Sequence, residues 1–140
     1  MAGTRFDGKT PSRIIKNESR EDYLESILLL SRLRKRTIRS YEIADHMGLS
    51  KPSVSRAMGI LREQGLVSMD DDYYVTLTEA GAAEAERVYA KHCYFKELLQ
   101  SVGVEEEIAE NEACRIEHII SDDSFKKLKA ALTVKTVVTN

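Results

Sequence analysis

Apolar residues at helical spacing run through most of the 140-residue chain, and one short strand-like stretch interrupts them. Tyr23, Leu24, Ile27, Leu28 and Leu30 give a first helix its apolar face. Ser19, with Asp22 three residues on, predicts a capping box at its start. Arg32, Arg34, Lys35 and Arg36 complement its C-terminus and are placed to meet phosphates. Ile43, Ala44 and Met47 fall on one side of a short second helix capped by Ser40. Gly48 permits a turn, and Leu49 is placed to plug the angle between helices. Ser50 caps a third helix, Pro52 sits in its first turn, and Val54, Met58 and Leu61 line one side. Gly65 ends that helix, and residues 66–77 read as two strands around an acidic turn. Thr78 then caps a long helix through about Gln100, with Ala82, Ala83, Ala85, Val88, Tyr89, Phe95, Leu98 and Leu99 on its buried side. Gly103 breaks it, and a further helix runs from Glu105 to Ile120. Asp122–Ser124 turns into a last one from Phe125 to Leu132.

Helix, turn, helix and hairpin in that order predict a winged helix-turn-helix. The fold class expected is mainly α, an N-terminal winged helix-turn-helix followed by an α-helical dimerisation domain. Residues 1–17 lack periodicity and are expected to form a flexible arm. The DNA-binding domain is placed at 18–78, a helical linker, metal-binding and dimerisation domain at 79–134, and a tail at 135–140, with fraying expected from Thr133. Around the start of the third helix, Ser50, Lys51, Pro52, Ser53, Ser55 and Arg56 make the short polar and basic surface that a helix needs to enter a DNA major groove. The C-terminal helices are too short to build a core alone. Burying Ile108, Ile116, Ile119, Phe125 and Leu128 against a second copy gives a homodimer.

The net charge of −2 excludes little, but its distribution is uneven. Residues 1–65 carry 13 Lys/Arg against 8 Asp/Glu, and residues 66–140 carry 8 against 15. A basic front half suits a double-stranded DNA operator, and an acidic back half suits solvent or cations. Two cysteines and no signal-like apolar start point to the cytoplasm, and no run is apolar enough to span a membrane.

Cys114, Glu117 and His118 stand at i, i+3 and i+4, so thiolate, carboxylate and imidazole project from one helix face. Asp22 and Glu25 share a face of the first helix, and His92 lies midway along the long one. Taken singly, each has an ordinary reading: Asp22 as a cap acid, Glu25 as a surface charge, His92 as a lone helical histidine, Cys114 as a small core residue.

The run Glu112-Ala-Cys-Arg-Ile-Glu-His118, with Asp22-Tyr-Leu-Glu25 and the winged helix, resembles the metal-dependent transcriptional repressors. Their two branches are the iron-responsive diphtheria-toxin repressors and the manganese transport regulators. The resemblance runs from about Ser19 to Leu132 and implies a metal-activated regulator, a repressor of iron or manganese uptake genes, in a short form without a C-terminal barrel domain. It implies Cys114, Glu117 and His118 as ligands, matching the iron branch, joined by Asp22, with Glu25 one turn on, as in the manganese branch. His92 matches a family ligand of a second site. There, Glu25, Glu110 and Glu117 are further candidates, but Lys96 stands where the iron branch has an acidic ligand.

A soft thiolate beside a hard carboxylate makes Fe²⁺ the first expectation and Mn²⁺ the second, with Co²⁺, Ni²⁺ or Zn²⁺ substituting in vitro. The alternative is a winged-helix regulator sensing a small organic ligand or redox state through Cys93 or Cys114. An enzyme is not expected. A zinc hydrolase wants a general base beside an open coordination position, and no His-Glu-x-x-His motif is present.

Overall fold

The computed structural model describes residues 12–132. The part of the expected arm at 1–11, and the tail, lie outside them. The described chain divides into two compact units with the boundary between Glu86 and Arg87.

The first unit opens with α1 (Ser12–Arg34), on which Leu24, Ile27, Leu28 and Leu30 are buried. Because α1 begins at Ser12, Ser19 and Asp22 fall inside it and form no capping box. The helix is also seven residues longer at its start than the apolar pattern implied, and residues 12–17 are helix where an aperiodic arm was expected. It ends at Lys35, whose left-handed φ of 57° stops further turns. Then come β1 (Ile38–Arg39), α2 (Ser40–Met47), α3 (Lys51–Glu63), β2 (Val67–Met69) and β3 (Tyr74–Leu77). The strands form one antiparallel sheet in the order β1-β3-β2, with Ile38 and Met69 both opposite Val75. Two residues give no readable strand pattern, so β1 was not expected.

Local caps explain most of the path. Ser40 is the first residue of α2 and not its cap: the Glu42 carboxylate accepts from the Arg39 backbone N–H at 2.9 Å, so Arg39 precedes the helix. Gly48 closes α2 with φ 68°. Leu49 is 42% exposed and plugs nothing; Ile43, Ala44, Val54 and Met58 fill the angle between α2 and α3 instead. Ser50 caps α3, accepting from the Ser53 N–H at 3.2 Å, with Pro52 in the first turn. In the hairpin, one oxygen of Asp70 accepts from the backbone N–H of Asp72 (2.9 Å) and of Tyr74 (3.0 Å).

The basic end of α1 is engaged inside the protein. Arg34 reaches Glu42 at 2.6 Å, Arg36 reaches it at 2.8 Å, and Arg32 pairs with Glu86. The Arg36 hydrogen bond leads the causes that hold the buried Glu42 carboxyl down at about 2, against the opposing effect of its burial. Thr78 caps α4 (Glu79–Ser101), accepting from the Gly81 N–H at 3.1 Å. Gly81 admits no side chain, since a Cβ there would sit 1.9 Å from the Leu66 carbonyl oxygen.

The second unit holds the rest of α4, α5 (Glu106–Ile119) and α6 (Asp122–Ala131). Val88, Phe95, Ala109 and Ala113 are buried, and Tyr94, Phe95 and Phe125 pack edge-on or tilted. Ala83, expected on the buried side of α4, is exposed. Ser121 caps α6 at 3.0 Å from the Ser124 N–H, so Asp122–Ser124 is helix and not turn. The buried Lys91 ammonium donates to the Ile120 carbonyl at 2.9 Å and pairs with Asp122 at 2.8 Å, tying α4 to α6. Ile108 and Ile119 are exposed, while Ile116, Phe125 and Leu128 are half-buried.

Candidate metal centre and nucleic-acid interface

On α3, Val54, Met58 and Leu61 turn inward, which leaves the opposite side of its first two turns to solvent. Lys51, Pro52, Ser55 and Arg56 are exposed there. Ser50 and Ser53 are used locally, the Ser50 hydroxyl donating to that of Ser53 at 2.8 Å in addition to its capping role. The Tyr23 phenol is pushed up by burial and pulled back by the charge of Arg56. Next to Lys51 stands Tyr41, exposed on α2, with its ring centroid 6.0 Å from the ammonium.

The metal candidates fall in both units. Asp22 and Glu25 lie one turn apart on α1, Asp22 half-buried and Glu25 buried, so Glu25 is no surface charge. In the second unit, helical periodicity brings Cys114, Glu117 and His118 to one face of α5. Sγ, a carboxylate oxygen and a ring nitrogen lie within 4.8 Å of one another. Cys114 is exposed, contrary to its reading as a core residue, whereas Glu117 is 1% exposed.

The two oxygens of Glu117 differ. Oε1 faces His92 Nδ1 at 2.8 Å. Oε2 is buried and receives no hydrogen bond from any described residue, with His118 Nε2 3.3 Å away. A buried carboxylate oxygen without a donor is costly, and it is what a cation would neutralise. Sulfur, oxygen and nitrogen donors around it make a set that suits a divalent transition metal. The residues present therefore fit a metal.

His92 is flanked on both sides. Its Nδ1 meets Glu117, and its Nε2 meets Glu110 Oε2 at 3.0 Å. The hydrogen bond to Glu117 is the main reason that the imidazole is raised to about 9, with burial opposing and Glu110 adding to it. Burial pushes the Glu110 carboxyl up, but hydrogen bonds from Lys96 and His92 outweigh it and leave Glu110 below its ordinary value. Lys96 Nζ lies 3.0 Å from Glu110 and 3.6 Å from Glu106. Glu106 escaped sequence reasoning as a partner of this group. The available signal was its position one turn before Glu110, on the same face of an acidic helix.

Comparison with known proteins matches the chain in two consecutive parts, which meet between residues 73 and 78. Residues 17–73 match the family model described as iron dependent repressor, N-terminal DNA binding domain. Residues 78–135 match the one described as iron dependent repressor, metal binding and dimerisation domain. An HTH-type transcriptional regulator of Methanocaldococcus jannaschii is 34% identical over 114 residues, covering 81% of this chain and 91% of that protein. The iron-dependent repressor IdeR of Mycobacterium tuberculosis is 33% identical over 120 residues, 85% of this chain and 52% of that one. A manganese-dependent transcriptional repressor, solved in complex with manganese, superposes with a TM-score of 0.73 at 26% identity. That superposition covers 83% of this chain and 53% of the other. The chain thus spans about half the length of the mycobacterial and manganese-dependent relatives. No described helix is long and apolar enough to cross a membrane. With both halves matched in order, and a relative covered over nine-tenths of its length, the chain belongs to the iron-dependent repressor family of transcription regulators.

Proposed function

We propose that this protein is a homodimeric, metal-activated DNA-binding repressor of iron or manganese uptake genes. The observation that carries the reading is the unbonded Oε2 of Glu117, buried beside the Cys114 thiol and the His118 imidazole on one face of α5. Cys114, Glu117 and His118 hold the activating ion, with Asp22 as a further ligand on the strength of the family resemblance. A divalent cation supplies there the positive charge and the directional bonds that the donors lack. His92 holds the other oxygen of Glu117 and so fixes the plane in which the carboxylate presents its free lone pairs. Thiolate together with carboxylate favours Fe²⁺ first and Mn²⁺ second.

Lys51, Ser55 and Arg56 read the major groove from the exposed side of α3, with Pro52 alongside, while Ser50 and Ser53 hold the helix start in shape and aim its N–H groups at phosphate. In a homodimer with half-sites one turn apart, two such helices would stand roughly 34 Å apart. Metal affinity and DNA affinity are then coupled reciprocally, by about 1–3 kcal/mol.

The test selects binding sequences from a random duplex pool with Mn²⁺-loaded protein, then measures affinity with Fe²⁺, Mn²⁺, Co²⁺, Zn²⁺ or a chelator. Chelation should weaken binding by about 5–150-fold. Arg56→Ala should cost about 1–3 kcal/mol with metal content unchanged. Cys114→Glu should shift the ranking toward Mn²⁺ over Co²⁺ and Zn²⁺. Equal affinity with chelator and with every metal would overturn the reading.

A further inference from the structure

We infer that the sugar-phosphate backbone of the bound duplex crosses α3 against bare main chain at Gly59, with the Arg62 guanidinium on its phosphate. The inference rests on the reading of α3 above and adds two residues to it. Glycine weakens a helix interior relative to alanine, so one in the third turn of α3 needs a reason. The other described glycines have theirs inside the protein: Gly48, Gly65 and Gly103 take positive φ, and Gly81 lies against the Leu66 carbonyl. Gly59 has neither. Its φ is not left-handed, and α3 runs unbroken through it from Lys51 to Glu63. A Cβ there would meet nothing within 4 Å, so the fold has room for a side chain that the sequence withholds.

Position and charge say what fills the room. Val54, Met58 and Leu61 turn inward, which puts Gly59 on the outward side, one turn beyond Ser55. Arg56 and Arg62 stand three residues before and after it, each about 4.5 Å away along the helix axis. Both are exposed, and neither makes a hydrogen bond or ion pair with any described residue. Arg20, Arg32, Arg34 and Arg36 of the same unit each hold a carboxylate. Two guanidinium groups without an acceptor, on either side of a position without a side chain, match a polyanion that comes close to the main chain. Arg56 reaches into the groove, and Arg62 meets the wall beside it. The exposed Glu63 lies just over a quarter turn further round, so the strand runs along the Arg62 flank and away from that carboxylate. The competing account makes Gly59 a tolerated weak point and Arg62 a complement to the helix C-terminus. Alanine at 59 would then help the fold and leave DNA binding alone.

Binding of the Mn²⁺-loaded full chain to the duplex selected above, and to a random duplex, separates the two. Gly59→Ala should raise the thermal midpoint, as in any helix interior, yet weaken the selected duplex at least about fivefold, the cost of forcing a methyl into a closed contact. Gly59→Gln should weaken it further. Arg62→Gln should weaken both duplexes alike and lower the slope of log affinity against log salt by about one per protomer. Wild-type affinity in both Gly59 variants would overturn the inference, as would an unchanged salt slope in Arg62→Gln. A lowered midpoint in Gly59→Ala would overturn it too, because the fold itself would then require the glycine. Unchanged affinity in Arg56→Ala would instead overturn the reading of α3 beneath it.

Discussion

The two units are held together by different means. In the first, long apolar side chains from three helices and three strands are buried: Leu24, Ile27 and Leu30 of α1, Ile38 of β1, Ile43 of α2, Met58 of α3, Val67 of β2 and Val75 of β3 are all essentially inaccessible. Of its buried carboxylates, Glu42 is surrounded by arginines and a backbone N–H. In the second, Val88, Phe95, Ala109 and Ala113 are buried, α4 meets α5 through the charged group of His92, Lys96, Glu106, Glu110 and Glu117, and Ile119 is 77% exposed. Apolar burial carries no charge for dissolved ions to screen, whereas a group of charged side chains responds to the ions around it. A reading head should keep its shape, and a sensor should not. The distribution of apolar mass between the units follows that division of labour.

The comparison can be broken first at its apolar end. Met58→Ala should lower stability toward urea by about 2–5 kcal/mol, the usual cost of a large-to-small change in a closed core. The denaturation midpoint should be nearly independent of added Mn²⁺ for this loss. A deficit that metal largely restores would show that the first unit also borrows its stability.

Next is Glu42→Gln, which should cost about 1.5–3 kcal/mol at neutral pH by weakening charged hydrogen bonds. The folded Glu42 carboxyl is held at about 2, below its unfolded value near 4.5. Its contribution is therefore fully present above about pH 4.5 and disappears as pH falls toward 2. The difference between wild type and variant should shrink over that window in acid titrations followed by circular dichroism. A constant difference would remove Glu42 from the account.

The smallest effect is expected in the second unit. Lys91→Met removes the donor to the Ile120 carbonyl and the partner of Asp122 but keeps the apolar stem. It should cost about 1–2 kcal/mol. Hydrogen exchange should accelerate in α6 before α3 changes. Uniform acceleration in both would mean that the units do not open separately.

Much of the first unit was legible because its signals are local. Ser50 capping α3, Gly48 at φ 68° and the inward row Val54, Met58 and Leu61 each follow from residues within one or two turns. The errors came where a distant group won over a neighbour. Ser40 looked like a cap, but Glu42, held by Arg34 and Arg36, fixes Arg39 in that place. The basic cluster at the end of α1 looked free for phosphate, yet three of its members have carboxylate partners from 6 to 54 residues away. For the proposed metal centre, the i, i+3, i+4 spacing was enough to bring Cys114, Glu117 and His118 together. The bond from His92 to Glu117 spans 25 residues, and no local rule reaches it.

The hairpin turn has its own consequence for how salt acts on binding. Asp70 spends its carboxylate on the turn's own N–H groups, and Asp71 and Asp72 stand exposed beside it. A wing tip with such charge releases no condensed counterion when it approaches a duplex, and it is pushed away from the sugar-phosphate edge. If α3 reads the duplex as proposed, the wing tip adds nothing to the slope of log affinity against log salt, which the lysine and arginine contacts made elsewhere then set.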